Sequence, residues 1–271
     1  MADGETPPAT DAAALERENR ILERRLHRLE ENVRHLEAFG DSNARLLSQV
    51  VKDLEVERAR SQSLLLNVLP QRIIDRLNAG ETLIADRHDD VTVLFSDFVG
   101  FTEISAGLPT AELIDELNDL FSGFDAICES TGVEKIKTIG DAYLAIGGLI
   151  DGGADHCAAI AETALRMVDL VAARPSSRAS WQVRIGLNRG SVAAGVIGTT
   201  KFVYDVWGDT VNVASRLEAA SLPGRVHVSD ALATALSDRY ALEPRGTIEI
   251  KGKGSMATWF LGAARREASP G

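Results

Sequence analysis

The chain has 271 residues, of which 45% are hydrophobic and 25% are charged, a composition typical of a globular protein. Its 29 basic residues against 40 acidic ones give a formal charge of −11, so general electrostatic attraction to nucleic acid is not expected. Only two cysteines are present, which argues against a disulfide scaffold or a thiolate zinc site and favours a reducing compartment. No apolar run approaches the length that spans a bilayer and no signal segment is recognisable, so the sequence predicts a cytoplasmic protein.

The first seventy residues have the pattern of a disordered start followed by coiled-coil helices. Residues 1–10 are rich in Pro, Thr and acidic side chains and are predicted to be disordered. Over residues 11–69, leucine and valine recur three, four or seven positions apart among Glu and Arg, which predicts a dimerising coiled coil. The segment FGDSN, residues 39–43, predicts the end of one helix and the start of another. A solitary amphipathic helix folded on its own domain is the alternative, but so narrow a seam favours a parallel dimer.

The remaining chain alternates between apolar runs and amphipathic stretches. Residues 70–87 are predicted to connect the two parts, with a short helix at QRIIDRLNAG that ends at Gly80, and a globular domain follows over residues 88–262 with a disordered tail at 263–271. The periodicity predicts strands at 91–96, 133–139, 142–147, 181–188, 191–198, 202–206, 245–250 and 257–261, and helices at about 102–130, at 153–173 and from about 210. This order is typical of an α+β fold with a sheet backed by helices on one face.

The segment LFSDFVGFTEIS ends a hydrophobic strand at Asp97 and turns directly into a helix. Free amides of Gly100, Phe101 and Thr102 at the helix start would face the same space as the Asp97 carboxylate. A divalent cation on Asp97 could therefore neutralise a polyphosphate that also accepts hydrogen bonds from these amides. The alternative, in which Asp97 is only a helix N-cap, is equally compatible with this motif taken by itself.

A second carboxylate favours the metal-binding interpretation. Asp141 follows the strand EKIKTIG and lies in a tight turn before YLAIGG. Two aspartates at the mouth of one sheet repel each other unless cations lie between them, and a pair of Mg²⁺ ions is a recurrent device for in-line attack at phosphorus. The sequence therefore predicts that Asp97 and Asp141 bind two metal ions.

The strand before Asp141 carries two lysines. Alternation along residues 133–139 predicts that Lys135 and Lys137 share one face of the strand. A lone strand lysine is usually an exposed edge residue. Because a buried ammonium needs an acceptor and Lys137 lies four residues before Asp141, a ligand contact is the preferred interpretation for Lys137, whereas Lys135 has no predicted role.

The segment KFVYDVWGDTVNVASRLEAAS places Asp205 in a short strand and then starts a helix near Asp209. Asn212 and Arg216 are four residues apart on this helix and therefore share a face. The amide of Asn212 and the guanidinium fork of Arg216 suit phosphate oxygens. The alternative for Arg216 is a surface ion pair with Glu218 or Asp209.

Together these three segments resemble the catalytic domain of class III nucleotide cyclases, specifically its adenylyl branch. The resemblance covers about residues 88–262 and rests on FSDFVGFT, KTIGDAY and YDVWGDTVNVASR, which occur in the order and internal spacing of that family. It implies a palm-type, ferredoxin-like βαββαβ domain that converts ATP to 3′,5′-cyclic AMP and pyrophosphate. It also implies two Mg²⁺ or Mn²⁺ ions in each active site, held by Asp97 and Asp141.

The resemblance further implies how the base is recognised. Lys137 and Asp205 correspond to the pair that reads adenine, in which the lysine donates to ring N1 and the carboxylate accepts from the exocyclic amine. Guanylyl cyclases carry different residues at these two positions. Since guanine presents a donor and a carbonyl with the reverse sense, this pair favours ATP as the substrate.

The remaining roles concern the phosphates and the assembly. By resemblance, Asn212 orients the ribose, Arg216 neutralises the pentavalent phosphorus, and Arg184 with a lysine of IKGKG, most closely Lys251, contacts phosphates. In this family one subunit reads the base while the other holds the metals, so the resemblance implies a head-to-tail homodimer that the coiled coil would also hold together. A guanylate cyclase and a catalytically inactive dimeric signalling module remain as alternatives.

Overall fold

The computed structural model describes residues 9–66, 68–149, 155–174, 180–198, 200–250 and 253–265. The chain divides into two compact units, residues 1–70 and 71–271. The predicted disordered ends lie mostly outside the described residues, although Ala9 and Thr10 belong to the first helix and the last strand continues to Ala264. Within the described part of the chain, no helix is both long enough and apolar enough to cross a bilayer.

The first unit is a single helix, α1 (Ala9–Leu66), of 58 residues. The predicted break at residues 39–43 is wrong, because Gly40 keeps a helical conformation in an unbroken hydrogen-bonded helix. A glycine inside a helix costs only about 1 kcal/mol relative to alanine, which the neighbouring turns can offset. The apolar seam is fully exposed along α1 in the single chain; its members include Leu15, Leu22, Leu26, Leu29, Val33 and Leu36.

The second unit begins with α2 (Gln71–Asn78), which ends before Gly80 as predicted. A long strand, β1 (Ala85–Phe98), follows and starts earlier than expected. The predicted helix at 102–130 is wrong in one respect: it is two helices, α3 (Phe101–Gly107) and α4 (Thr110–Thr131). The break occurs because Pro109 lacks an amide hydrogen and forces Leu108 into an extended conformation.

Four strands and two long helices then build the expected βαββαβ unit. After β1 and α4, the unit continues with β2 (Glu134–Ile139), β3 (Ala142–Gly147), α5 (His156–Ala172) and β4 (Val183–Ile197). The strand order β2-β3-β1-β4 is antiparallel throughout. The two strands predicted at 181–188 and 191–198 are one strand. Gly190 is required there for close packing rather than for a turn, since a Cβ at this position would lie 2.7 Å from Oγ1 of Thr210.

The C-terminal part widens the sheet. It adds β5 (Val203–Trp207), α6 (Asp209–Ala219), β6 (Val226–Ser229), α7 (Asp230–Leu236), β7 (Tyr240–Ile250) and β8 (Gly254–Ala264). The main path reads β2-β3-β1-β4-β6-β8-β7, with β4 and β6 parallel, and β5 pairs with the end of β4 as a hairpin. The mixed α+β architecture that the sequence predicted is thereby confirmed.

The two faces of the sheet carry different elements. One face packs against α4, α5 and α7 around an aromatic cluster of Phe98, Phe121, Phe124, Tyr143 and Trp181. The other face receives α6, because Gly186 of β4 lets the α6 backbone approach so closely that a Cβ would clash with it. Both cysteines, Cys128 and Cys157, are free and buried.

Candidate active site

Two aspartates meet at one end of the sheet. Asp97 is near the end of β1, and Asp141 lies in the tight turn between β2 and β3, which Gly140 makes possible with a φ of 65°. The two side chains are close enough to share a hydrogen bond. Burial, this hydrogen bond and the Asp97 charge together raise the pKa of Asp141 to about 6. A carboxyl pair of this kind holds a proton at mildly acidic pH unless a cation takes its place.

An arginine and a glutamate extend this carboxylate site. Arg184 lies directly opposite Asp97 in the β1–β4 ladder and donates to its Oδ2 at 3.1 Å. The Nε of Arg184 also lies 3.2 Å from Oε1 of Glu218, within ion-pair distance although the two atoms are not aligned for a hydrogen bond. Burial raises the pKa of Glu218 to about 7, and the charges of Asp97 and Asp141 contribute to that rise while Arg184 opposes it.

The sequence interpretation missed the position of Glu218. It was considered there only as a surface partner for Arg216, yet Glu218 is 5% exposed and faces Arg184 from α6. Asp209, the other surface partner considered, pairs with Lys253. The sequence does contain a sign that Glu218 is buried, namely its spacing on the amphipathic helix α6. Glu218 lies one residue beyond the buried Leu217 and four beyond the buried Ala214.

The aspartate pair fits a divalent cation. Carboxylate oxygens are the donors that Mg²⁺ and Mn²⁺ prefer, and a cation between Asp97 and Asp141 would remove their mutual repulsion. Among the described residues, no group of three or more His, Cys, Asp or Glu is arranged to hold a metal. Mg²⁺ is usually bound by one or two protein carboxylates, and water and a substrate phosphate supply its other ligands.

The loop after Asp97 leads into α3 without a side-chain cap. Gly100 occupies the N-cap position in the left-handed conformation, with φ 68°, and no side chain makes a capping hydrogen bond. The first amides to donate within the helix are those of Glu103 and Ile104, to the Gly100 carbonyl. The simple N-cap explanation for Asp97 is therefore wrong, and the amides of residues 100–102 lie at an open helix start.

A second pair of charged residues lies on β2 and β5. The Nζ of Lys137 is 2.5 Å from Oδ2 of Asp205, and the other carboxylate oxygen of Asp205 accepts from the amide of Val206 at 2.9 Å. The side chain of Asp205 is 14% exposed and that of Lys137 is 33% exposed. The structure thus brings together the two residues, 68 positions apart, that the sequence interpretation paired.

The prediction that Lys135 and Lys137 share a face is wrong. The register of β2 against β3 shifts between these residues, so Ile136 is an extra residue in a β-bulge that resets the alternation. Lys135 consequently lies on the helix-covered face, where it pairs with Asp125 at 2.7 Å and sits over the ring of Tyr143. Lys135 therefore has a structural role in joining β2 to α4.

The other predicted site residues are less tightly defined. On α6, Asn212 is exposed and Arg216 is half-buried, and the two lie one turn apart as expected. Lys251 falls outside the described residues, so the structure does not describe its position. The neighbouring Lys253 is described and pairs with Asp209 at the start of α6.

Comparison with known proteins connects this arrangement to a family. Residues 83–263 match the model of the adenylate and guanylate cyclase catalytic domain. The chain is 43% identical over 220 residues to an adenylate cyclase of Mycobacterium tuberculosis, covering 80% of this chain and 50% of the relative. It is 41% identical over 236 residues to retinal guanylyl cyclase 2 of Rattus norvegicus, covering 84% and 21%. The chain therefore spans about half the length of the mycobacterial relative.

A solved structure shares the fold. The catalytic core of a rhodopsin-guanylyl cyclase with converted specificity, in complex with ATPαS, aligns with a TM-score of 0.64 at 39% identity. The alignment covers 67% of this chain and 98% of that chain. An adenylate cyclase and a guanylyl cyclase are thus similar to this chain to nearly the same degree, so these identities do not distinguish ATP from GTP as its substrate.

Proposed function

The chain belongs to the adenylate and guanylate cyclase catalytic-domain family, and from this premise we propose that it is an adenylate cyclase. It converts ATP to 3′,5′-cyclic AMP and pyrophosphate. The active site is shared between two chains of a homodimer.

The observation that carries the choice of ATP is the contact between Lys137 and Asp205. An ammonium and a carboxylate 2.5 Å apart present one donor and one acceptor side by side. Adenine offers the complement, an acceptor at N1 beside the donor amine at N6. Guanine would place its N1 hydrogen against the ammonium and its carbonyl against the carboxylate. A donor would then face a donor, and an acceptor would face an acceptor. A site built to pair with one base rejects the other strongly, because buried polar groups are then left unpaired.

Asp97 and Asp141 would hold the divalent ions, Mg²⁺ or Mn²⁺, two in each active site. When bound, such ions supply charge neutralisation on the phosphates and lower the pKa of an attacking hydroxyl. Arg184 places a positive charge beside the same carboxylates, at 3.1 Å from Asp97, where it can also contact phosphate oxygens. The open amides of Gly100, Phe101 and Thr102 add donors for the triphosphate.

The reaction is an in-line displacement at phosphorus. The ribose 3′-oxygen forms a bond to the α-phosphorus and loses its proton to solvent water, while the bond from the α-phosphorus to the bridging oxygen breaks and pyrophosphate leaves. Asn212 would orient the ribose, Arg216 would neutralise the charge that grows on the equatorial oxygens, and Lys251 would contact a phosphate. No covalent intermediate with the protein is required.

Surface features support a dimer of the catalytic domains. The hairpin that carries Asp205 and the end of β2 expose large apolar side chains, which is unusual for a surface without a partner: Ile139, Ile197, Phe202, Val203 and Trp207. A second copy that covers this patch would bring its own metal-binding carboxylates toward Lys137 and Asp205. The exposed seam of α1 offers a second region of contact, which would keep two catalytic domains at high local concentration.

Product analysis tests the proposal directly. The purified full chain is incubated with ATP or GTP in the presence of Mg²⁺ or Mn²⁺, and the products are identified by chromatography and mass spectrometry. Cyclic AMP and pyrophosphate are expected from ATP. Cyclic GMP as the main product would instead support a guanylate cyclase, and the absence of product with either metal would support an inactive signalling module.

Mixing two inactive variants tests the shared site. Asp97→Ala removes a metal ligand and Arg216→Ala removes a transition-state contact, so each homodimer should be nearly inactive. A mixed dimer contains one site in which both residues are intact, so mixing should restore activity toward a quarter of the wild-type value after statistical exchange. Failure to recover activity despite demonstrated subunit exchange would contradict a shared site.

A further inference from the structure

Arg72 of α2 connects the two strands that carry the proposed base-reading residues. Its guanidinium lies 2.9 Å and 3.0 Å from the two carboxylate oxygens of Glu134 in β2. The same group donates to the hydroxyl of Tyr204 in β5 at 2.7 Å and lies 5.6 Å from the centre of that ring. Of the two contacts with Glu134, only the 3.0 Å contact is a hydrogen bond, since the atoms of the 2.9 Å ion pair are not aligned for one. This hydrogen bond, the ion pair and the contact with Tyr204 together restrict the orientation of the guanidinium.

The partners of Arg72 are close neighbours of Lys137 and Asp205. Tyr204 directly precedes Asp205, and Glu134 is three residues before Lys137. On a regular strand Glu134 and Lys137 would point to opposite faces, but the bulge at Ile136 places both on one face of β2. Lys137 reaches β5 directly through Asp205, and Glu134 reaches it through Arg72 and Tyr204. Two bridges therefore run side by side between β2 and β5, one through Arg72 and one through the pair that faces the base.

The bridge through Arg72 is partly sheltered from solvent. The side chain of Glu134 is 10% exposed and that of Arg72 is 31% exposed. Burial raises the pKa of Glu134, and the adjacent guanidinium opposes that rise. Burial lowers the pKa of Arg72, but Glu134 and Tyr204 more than compensate and keep it above its ordinary value. Removal of the arginine would leave a buried carboxylate without its partner, which is strongly unfavourable.

We infer that Arg72 is a positioning residue for base selection, an inference that rests on the proposed function. By neutralising Glu134, it keeps that carboxylate from attracting the ammonium of Lys137, which lies on the same face three residues away. By holding Tyr204, it keeps β5 at the distance from β2 at which Asp205 meets Lys137. Both effects preserve the side-by-side donor and acceptor that match adenine.

Loss of Arg72 has a specific consequence under this inference. Lys137 lies on the same face of β2 as Glu134, three residues away, so without Arg72 the unpaired carboxylate draws the ammonium away from Asp205 and from the base. Affinity for an adenine nucleotide falls, and the carboxylate of Asp205 becomes free to accept from the N1 hydrogen of guanine. The ratio of the two affinities should therefore change more than overall stability or the rate of the chemical step.

Equilibrium binding to the full chain tests this without turnover. The probes are 3′-deoxy-ATP and 3′-deoxy-GTP, which lack the attacking hydroxyl, and dissociation constants are measured by calorimetry for wild type and variants. Arg72→Gln is expected to reduce the preference for the adenine nucleotide at least tenfold. Arg72→Gln combined with Glu134→Gln should recover most of that preference, because no carboxylate then competes for Lys137. Tyr204→Phe should reduce the preference about threefold.

Arg76→Gln is the matched control. Arg76 is one turn along α2 and pairs with Glu81 and Asp86, which lie before and at the start of β1 rather than beside the base-reading pair. Its substitution removes a comparable ion-pair network and should leave the ratio of affinities unchanged.

Three results would overturn the inference: an unchanged ratio in Arg72→Gln, an equal change in Arg76→Gln, or no recovery in the double variant. If Arg72→Gln does not fold, as judged by circular dichroism, the double variant and Tyr204→Phe test the inference instead, because neither substitution leaves a buried charge without its partner. A wild-type protein that prefers the guanine probe would refute the proposed ATP specificity. A change in the ratio on loss of Arg72 would still be expected then, so the two failures are distinguishable.

Discussion

Asp141→Asn is expected to stabilise the sheet domain at pH 8 when divalent cations are removed by a chelator. Burial and the neighbouring Asp97 raise the pKa of Asp141 from 3.8 to about 6. Between these values the folded state binds a proton that the unfolded state has lost, so the contribution of Asp141 to stability is greatest below pH 4 and is lost as the pH rises through about 6. At pH 8 the wild-type protein carries the unfavourable charge, and the amide of the variant does not.

The magnitude follows from the size of the pKa shift. A difference of about two units corresponds to about 3 kcal/mol, and solvent screening at this half-buried site reduces it to about 1–2 kcal/mol. For a domain of this size, each kcal/mol moves Tm by about 2–4 °C, so the variant should melt about 2–8 °C higher at pH 8. Part of the pH dependence remains in the variant, because burial also raises the pKa of Glu218 to about 7.

Tryptophan fluorescence provides the assay, since all three tryptophans lie in the sheet domain and none in α1. Thermal and urea unfolding are followed between pH 5 and pH 8 in chelator and then with Mg²⁺. Mg²⁺ should stabilise the wild type much more than the variant, and the exposed control Asp238→Asn should behave as wild type. An Asp141→Asn protein that is no more stable at pH 8, or that gains as much from Mg²⁺, would refute the reasoning.

Other substitutions test the packing of the sheet, the long helix α1 and the contact between Lys137 and Asp205. Gly186→Ala should lower the free energy of unfolding in urea by at least about 3 kcal/mol, because the new Cβ clashes with the α6 backbone, whereas Gly107→Ala meets no atom within 4 Å and should change little. Gly40→Ala should stabilise α1 by about 1 kcal/mol in circular dichroism melts, and destabilisation would indicate a helix end there after all. Asp205→Asn should lower kcat/KM for ATP by about 10- to 100-fold, since Lys137 loses its charged partner; unaltered kinetics would contradict the assigned role.

Local chemistry made much of the site predictable from sequence. Asp97 lies near the end of the strand β1 and Asp141 lies in the turn directly after β2, so their placement at a sheet end depends on residues within a few positions. The helix that carries Asn212 and Arg216 likewise shows the helical spacing of its buried residues within eleven positions, so it too can be predicted from local sequence. The order of strands and helices was sufficient to indicate an α+β fold, whereas the βαββαβ arrangement was implied by the family resemblance.

Local patterns were misleading where a single residue has two structural uses. FGDSN contains residues that often end helices, but α1 continues through them because the surrounding turns have strong helix formers. Two strands were predicted at 181–188 and 191–198, yet they are one strand, in which Gly190 permits the close approach of Thr210. Pro109 lies inside a stretch whose periodicity predicts one helix over 102–130, but its missing amide hydrogen separates α3 from α4.

The amino-acid sequence alone establishes the reactive groups and the elements that carry them, namely Asp97, Asp141, Lys137 of β2 and the polar face of α6. Which of these groups come into contact depends on the tertiary fold. The bulge at Ile136 depends on the pairing of β2 with β3, and it directs Lys137 toward Asp205 and Lys135 away from it. Arg72 with Glu134, and Arg184 with Glu218, are 62 and 34 residues apart, and such contacts form only when the sheet closes, because strand register rather than sequence spacing sets which side chains face each other.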